Sequence, residues 1–184
     1  MQLSVVSVQH AESCDPVHER RKLSLNIGCG RESVCDVRLD FIRTDSTNIV
    51  ADAQHLPFRD DVFSLVYERN VLEHLPSPGL HLRQVCRVLS RSGRLHLITD
   101  NAACLKYYLL GTHTGGYCRQ GARDKHYALF TCEHVKNLLT YAGLNVLEIK
   151  PIETQYFTRL FDRLLAFVMP ELARPRILAV ADRQ

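Results

Sequence analysis

The chain has 184 residues, 46% of them hydrophobic and 23% charged, and a formal net charge of +3. This length suits one compact domain that buries its core without a metal or disulfide staple, and no run approaches the roughly 18 uncharged apolar residues of a membrane span. The composition is that of a soluble globular protein, and so small a positive charge gives no reason to expect a nucleic-acid partner.

Residues 1–22 read as an N-terminal extension to a single domain covering residues 1–184. The extension has no basic region ahead of an apolar core, so no secretory signal is expected and the cytoplasm is the expected compartment. From Leu23 onward, short apolar or β-branched runs alternate with helical patterns, the mark of βαβ units on a mostly parallel sheet. Strands are predicted at residues 23–27, 37–41, 48–51, 63–67, 94–99, 145–150 and 176–181, which makes the expected class α/β, a seven-stranded Rossmann-like sandwich flanked by helices. In residues 79–89, Leu82, Val85, Cys86 and Leu89 recur at the spacing of one helix face, with Pro78 at a position where a missing N–H does no harm. Residues 131–142 repeat the pattern with Val135, Leu138, Leu139 and Ala142, and Gly143 supplies the stop.

Two regions break the alternation. Residues 101–130 carry Gly111, Gly115, Gly116 and Gly121 among tyrosines and basic residues, and a connection this long inside a domain is expected to be functional, here a lid. Residues 153–170 read as an amphipathic helix closed by Pro170, with Tyr156, Phe157, Leu160, Phe161, Leu164, Leu165 and Val168 on one stripe. Such a stripe must be covered: by the domain's own sheet or over an acceptor pocket, by a second copy in a homodimer, or by a membrane surface.

The cysteines number seven and never form a C-x-x-C pair, which counts against a disulfide framework and a zinc ribbon, and no metal is expected. The chemistry lies instead in "LNIGCGRESVCDVRLD", residues 25–40. A strand ending in Gly-x-Gly lets the backbone approach a ligand closely. A dinucleotide loop would carry a third glycine where Ser33 stands and an acid roughly 20 residues on, whereas Asp40 comes much sooner.

That stretch is followed in order by "VADAQHLPFRDDVFSLVYERNVLEHL" (residues 50–75), "LRQVCRVLSRSGRLHLI" (residues 82–98) and "HYALFTCEHVKNLLTYAGLNV" (residues 126–146). The set resembles the class I S-adenosylmethionine-dependent methyltransferases, in their small UbiE-like form. The resemblance implies S-adenosylmethionine as cofactor. Gly28, Cys29 and Gly30 would pass beneath its methionine moiety, and Asp40 would accept both ribose hydroxyls, with Asp36 and Asp45 as alternative acids. Asp52 and the N–H of Ala53 would meet the adenine edge, Leu56 its face, and Asn70 would lie beside the methyl group. His74 is the candidate proton acceptor, next to Glu73, while Cys29 suits packing better than nucleophilic chemistry. The chain departs from the pattern at Asn26, where many members carry an acid, and in the connection after Gly30, which is too short for the usual helix.

The implied function is methyl transfer to an O, N or C nucleophile of a small-molecule acceptor, a displacement that mainly requires orientation and desolvation. The alternative is a methyltransferase-like subunit that binds the cofactor without turnover and acts through a partner protein. Nucleic-acid methylation is disfavoured, because "NVLEHL" stands where amino-methylating enzymes have an Asn/Asp-Pro-Pro-aromatic motif.

Overall fold

A computed structural model describes residues 22–105, 126–152 and 159–184. Strands β1 (Leu23–Ile27), β2 (Val37–Asp40), β3 (Ile49–Val50), β4 (Phe63–Arg69), β5 (Leu89–Asp100), β6 (Asn145–Ile152) and β7 (Arg176–Asp182) form one sheet in the order β3-β2-β1-β4-β5-β7-β6. β3, β2, β1, β4 and β5 pair in parallel, and β7 runs antiparallel to both β5 and β6. The chain steps outward from β1 through β2 to β3 and then returns to β4 on the other side of β1. In open α/β sheets the crevice beside such a reversal, at the carboxyl ends of the strands, is where ligands bind.

Helices α1 (Pro78–Val88) and α2 (Cys132–Tyr141) join the sheet in one core. Leu82 and Val85 of α1 and Val135 and Leu139 of α2 are fully buried with Leu25, Ile27, Val66, Leu95 and Leu97 of the strands. α2 begins with a capping box: the Thr131 hydroxyl accepts the His134 amide while the His134 ring accepts the Thr131 amide. Near the end of α1, Arg183 donates to the carbonyls of Cys86, Arg87 and Leu89, groups that a helix terminus leaves without partners.

β5 begins at Leu89, earlier than the pattern suggests, because Leu89 pairs with Phe63 of β4 ahead of a register shift, after which pairing resumes at Arg94. At Gly93 a Cβ would lie 2.8 Å from the Ser90 carbonyl oxygen and 2.9 Å from that of Phe63, so only glycine permits the approach.

No helix intervenes between β1 and β2, although a parallel pair ordinarily needs a crossover of a dozen or more residues. A side-chain clamp fastens the far end of this short connection. The Ser24 amide and hydroxyl both donate to Asp36 Oδ2, at 3.0 and 2.8 Å, and the Asp36 amide donates back to the Ser24 hydroxyl at 3.0 Å.

The expected lid falls mostly on residues 106–125, outside the described residues. Its two ends meet: Asn101 bridges Phe130, and the Ala102 amide donates to the Phe130 carbonyl at 2.8 Å. Of the expected helix at 153–170, residues 153–158 are also outside the described set, and α3 (Arg159–Val168) is what is observed. Pro170 opens a further short helix, α4 (Pro170–Ala173), against which α3 packs. Leu164 and Val168 of the stripe are 63 and 64% exposed, so at these positions it is not laid on the domain's own sheet, and Phe167 beside them is 88% exposed. Among the described residues no helix is long and apolar enough to cross a membrane.

Candidate functional site

β1 runs into Gly28 and Gly30, whose φ angles of +67° and +53° are left-handed and favour glycine. The amides of Gly28 and Cys29 donate to the Leu39 carbonyl at 2.8 and 3.1 Å, which pins the turn against the end of β2. Asp40 completes the attachment: Oδ2 accepts the Gly30 amide at 2.8 Å and Oδ1 accepts the Ile42 amide at 2.9 Å. Each oxygen keeps a lone pair for a further donor. Thr44 Oγ1 donates to the Gly30 carbonyl and lies 2.8 Å from Thr47 Oγ1, so the turn is held from below as well.

Asp52 follows β3, and its Oδ1 accepts the Gln54 amide at 2.8 Å. Partial burial works to raise its pKa, but the hydrogen bonds from Gln54 and His55 prevail and hold the carboxyl below its usual value. It is therefore an acceptor-only carboxylate at neutral pH.

Asn70 leaves β4 with φ +52°, a conformation that asparagine tolerates better than most residues. Its Nδ2 donates to Glu73 Oε1 at 2.7 Å and lies 3.3 Å from Asp100 Oδ1, while Thr99 Oγ1 donates to Glu73 Oε2 at 2.7 Å. Burial raises the Glu73 carboxyl above its ordinary range despite these donors, and the nearby Asp100 charge pushes the same way. Glu73 is thus an internal brace for the turn, fully buried beneath the site. His74 beside it packs edge-on against His126, with centroids 4.6 Å apart.

These segments enclose a cavity of about 470 Å³ whose lining brings together Gly28, Asp40, Asp52, Ala53, Asn70 and His74. Of the other expected site residues, Cys29 and Leu56 are 2 and 4% exposed and belong to the core, and Gly30 stands behind the lining, held by Asp40. Leu56 is placed for packing, so a contact with an adenine face would fall to Phe41 and Ile42, which line the cavity and are 74 and 48% exposed. Their signal in the sequence was an apolar pair directly after the strand-ending acid. Of the alternative acids, Asp36 is occupied by Ser24 at the opposite end of the strands, and neither it nor Asp45 lines the cavity. Tyr127, one of the tyrosines of the expected lid, also lines it, brought there by its amide hydrogen bond to the Glu73 carbonyl at 2.7 Å. Among the described residues no group of three or more His, Cys, Asp or Glu is placed to hold a metal ion.

Comparison with known proteins agrees with this geometry. Residues 32–97 match the family described as methyltransferase domain. Methyltransferase GfsG of Streptomyces halstedii is 28% identical over 109 residues, covering 58% of this chain and 37% of that protein. The malonyl-[acyl-carrier protein] O-methyltransferase of Geobacter sulfurreducens is 30% identical over 104 residues, covering 54% of this chain and 38% of that protein. The chain thus spans well under half the length of these curated relatives. Among solved structures, a S-adenosylmethionine-dependent methyltransferase of Thermotoga maritima, described as a possible histamine N-methyltransferase, superposes with a TM-score of 0.63 at 14% identity, over 88% of this chain and 82% of that one. The Haloferax volcanii complex of the Trm112 methyltransferase activator with a putative methyltransferase gives a TM-score of 0.57 at 14% identity, over 88% and 81%. These structures share the fold. Residues 32–97 are thus similar to a methyltransferase domain, set in a strand order and fold that the chain shares with S-adenosylmethionine-dependent methyltransferases.

Proposed function

We propose that this chain binds S-adenosylmethionine in the cavity at the carboxyl ends of β1, β2 and β4 and transfers its methyl group to an O, N or C nucleophile of a small-molecule acceptor. The observation that carries the reading is the convergence, on one cavity, of a left-handed glycine turn whose Gly28 lines it and two carboxylates with accepting capacity to spare. The cofactor supplies an electrophilic methyl on a sulfonium, and the protein's work is to position it and exclude water. Gly28 leaves room for the methionine end, Asp40 accepts from the ribose, and Asp52 accepts from the adenine amino group while the Ala53 amide donates to the ring. Asn70 borders the methyl, and His74 accepts a proton from an acceptor that must lose one.

Calorimetry with S-adenosylhomocysteine, followed by a screen of acceptors with methyl-labelled cofactor, tests this. Saturable binding with label transfer is expected. Binding without any transfer favours a cofactor-binding subunit that acts through a partner, and no binding ends the reading. Asp52→Ala is expected to weaken binding of S-adenosylhomocysteine by roughly 1–3 kcal/mol, the cost of leaving a buried donor unpaired. Unchanged affinity in the same calorimetry would remove Asp52 from the site.

The exposed apolar side of α3 is assigned to a second copy of this chain, meeting itself about a two-fold axis. Leu164→Glu with Phe167→Glu is expected to convert a dimer into a folded monomer in analytical ultracentrifugation, with the affinity for S-adenosylhomocysteine kept. A wild-type protein that sediments as a monomer at tens of micromolar would end the assignment.

A further inference from the structure

Beneath the cavity lies an ionisable pair that none of the roles above uses. Glu68, in the middle of the sheet on β4, and His81, on the first turns of α1, are 1 and 0% exposed, and His81 Nε2 stands 2.6 Å from Glu68 Oε2. The other ring nitrogen, Nδ1, lies 2.9 Å from the carbonyl oxygen of Ala53. A carbonyl and a carboxylate can only accept, so both ring nitrogens donate and the ring carries the charge. Burial alone would lower the pKa of His81. The Glu68 charge and the hydrogen bonds to Glu68 and Ala53 outweigh it and raise the pKa above the usual value.

Stability does not explain the pair. Exchanging a buried ion pair for apolar side chains of similar volume is often neutral or stabilising, since desolvation offsets the attraction. Here the offset is incomplete, because Glu68 Oε1 is buried with no hydrogen-bond partner among the described residues. A leucine at each position would serve the core as well.

What the pair does reach is one peptide group. The Ala53–Gln54 peptide is held at both ends: its carbonyl accepts from His81, and its N–H donates to Asp52 Oδ1 at 2.8 Å. Fixing that peptide plane fixes the direction from which the Asp52 carboxylate is held, and with it the oxygen that faces the cavity. The Gln54 side chain is tied separately, accepting the Ser77 amide ahead of α1 at 3.0 Å, so the loop is anchored to α1 at two points.

Resting on the cofactor reading above, we propose that His81, charged and anchored by Glu68, is a positioning residue that orients the Asp52–Gln54 loop and so sets the selectivity of the site for adenine over a purine lacking the 6-amino group. The juxtaposition of a buried cation, the Ala53 carbonyl and the Asp52 carboxylate is the basis. An Asp52 carboxylate held in one rotamer accepts from the amino group of adenine and repels the carbonyl of hypoxanthine; a carboxylate free to turn does neither well.

Glu68→Leu with His81→Leu removes the pair without stranding either charge. The expected result has three parts: cooperative unfolding at a Tm no lower than wild type, affinity for S-adenosylhomocysteine reduced by about tenfold or more, and a smaller preference for it over S-inosylhomocysteine. Glu68→Leu with His81→Gln, whose amide can still donate to Ala53, is expected to recover part of that preference. A folded double variant with wild-type affinity and preference overturns the proposal. So does one that loses affinity for both ligands by the same factor, since a merely structural role would do that. If the double variant does not fold, Glu68→Gln with His81→Met, neutral and close in volume, is read by the same two criteria. A wild-type protein that binds neither ligand defeats the cofactor reading itself, and this inference with it, whereas a wild type that binds selectively and a variant that matches it defeat the inference alone.

Discussion

Replacement of Gly28 by valine is expected to abolish measurable binding of S-adenosylhomocysteine. A Cβ at this position would stand 2.3 Å from Cγ2 of Val71, a distance that real Cβ atoms do not show. Val71 is itself buried and lines the cavity, so its side chain cannot yield without altering the shape of the site. Strain adds to the clash: φ at Gly28 is +67°, and a β-branched residue there costs roughly 1–3 kcal/mol before any contact is counted. The two effects together should exceed about 3 kcal/mol, more than a hundredfold in affinity. Gly79, in the first turn of α1, has nothing within 4 Å of the position a Cβ would take, so Gly79→Ala is the control that should bind as wild type does. Calorimetry decides the matter. Binding by Gly28→Val within a few-fold of wild type would mean that the ligand does not pass over this turn.

The second large effect is expected at Asp40, for a reason different from the one usually given to a ribose-binding acid. Its two oxygens already accept the amides of Gly30 and Ile42, so the carboxylate builds the site before it meets any ligand. Asp40→Ala leaves both amides without their acceptor and loosens the glycine turn at Gly30, in addition to removing the proposed ribose contact. A loss of about 3 kcal/mol in the binding of S-adenosylhomocysteine, near a hundredfold, follows from one charged hydrogen bond to ligand and the disorganised turn. Asp40→Asn keeps one acceptor but turns an NH2 group toward either the ribose or a backbone amide, so it should fall between alanine and wild type. Hydrogen exchange separates the two parts of the effect. In ligand-free Asp40→Ala, the amides of Gly30 and Ile42 should exchange faster than in wild type, and equal protection would mean that the acid acts on ligand alone.

Much of this site was legible locally. Gly28 and Gly30 after an apolar strand, Asp40 closing the next strand, Asp52 after the third and Asn70 after the fourth all stand at strand ends, and a run of alternating elements tells where strand ends fall. The parallel sheet then gathers those ends on one edge, so the cavity follows from chain order and strand direction. What could not be read this way were residues whose place depends on packing between distant segments. Leu56 looks like any apolar residue beside the Asp52–Gln54 loop, yet it is buried while Phe41 and Ile42 are left at the rim of the cavity. Tyr127 comes to the cavity through a backbone bond to Glu73 across a long stretch of chain. Glu68 and His81 each read as an ordinary polar position, one in a strand and one in a helix, and only the packing of α1 on β4 makes them a pair.

The sequence by itself determined the class of fold, the order of the elements and the glycine turn, because these rest on periodicity, on glycine's access to left-handed backbone and on acids at strand ends, all of which are properties of short segments. The tertiary structure alone decided how β1 reaches β2 without a helix, since Ser24 and Asp36 fasten that connection across the strands. It also decided that the apolar stripe of α3 faces outward at Leu164 and Val168 rather than onto the sheet. A helical pattern states that one face is apolar but not what lies opposite it; that depends on where the rest of the chain has packed.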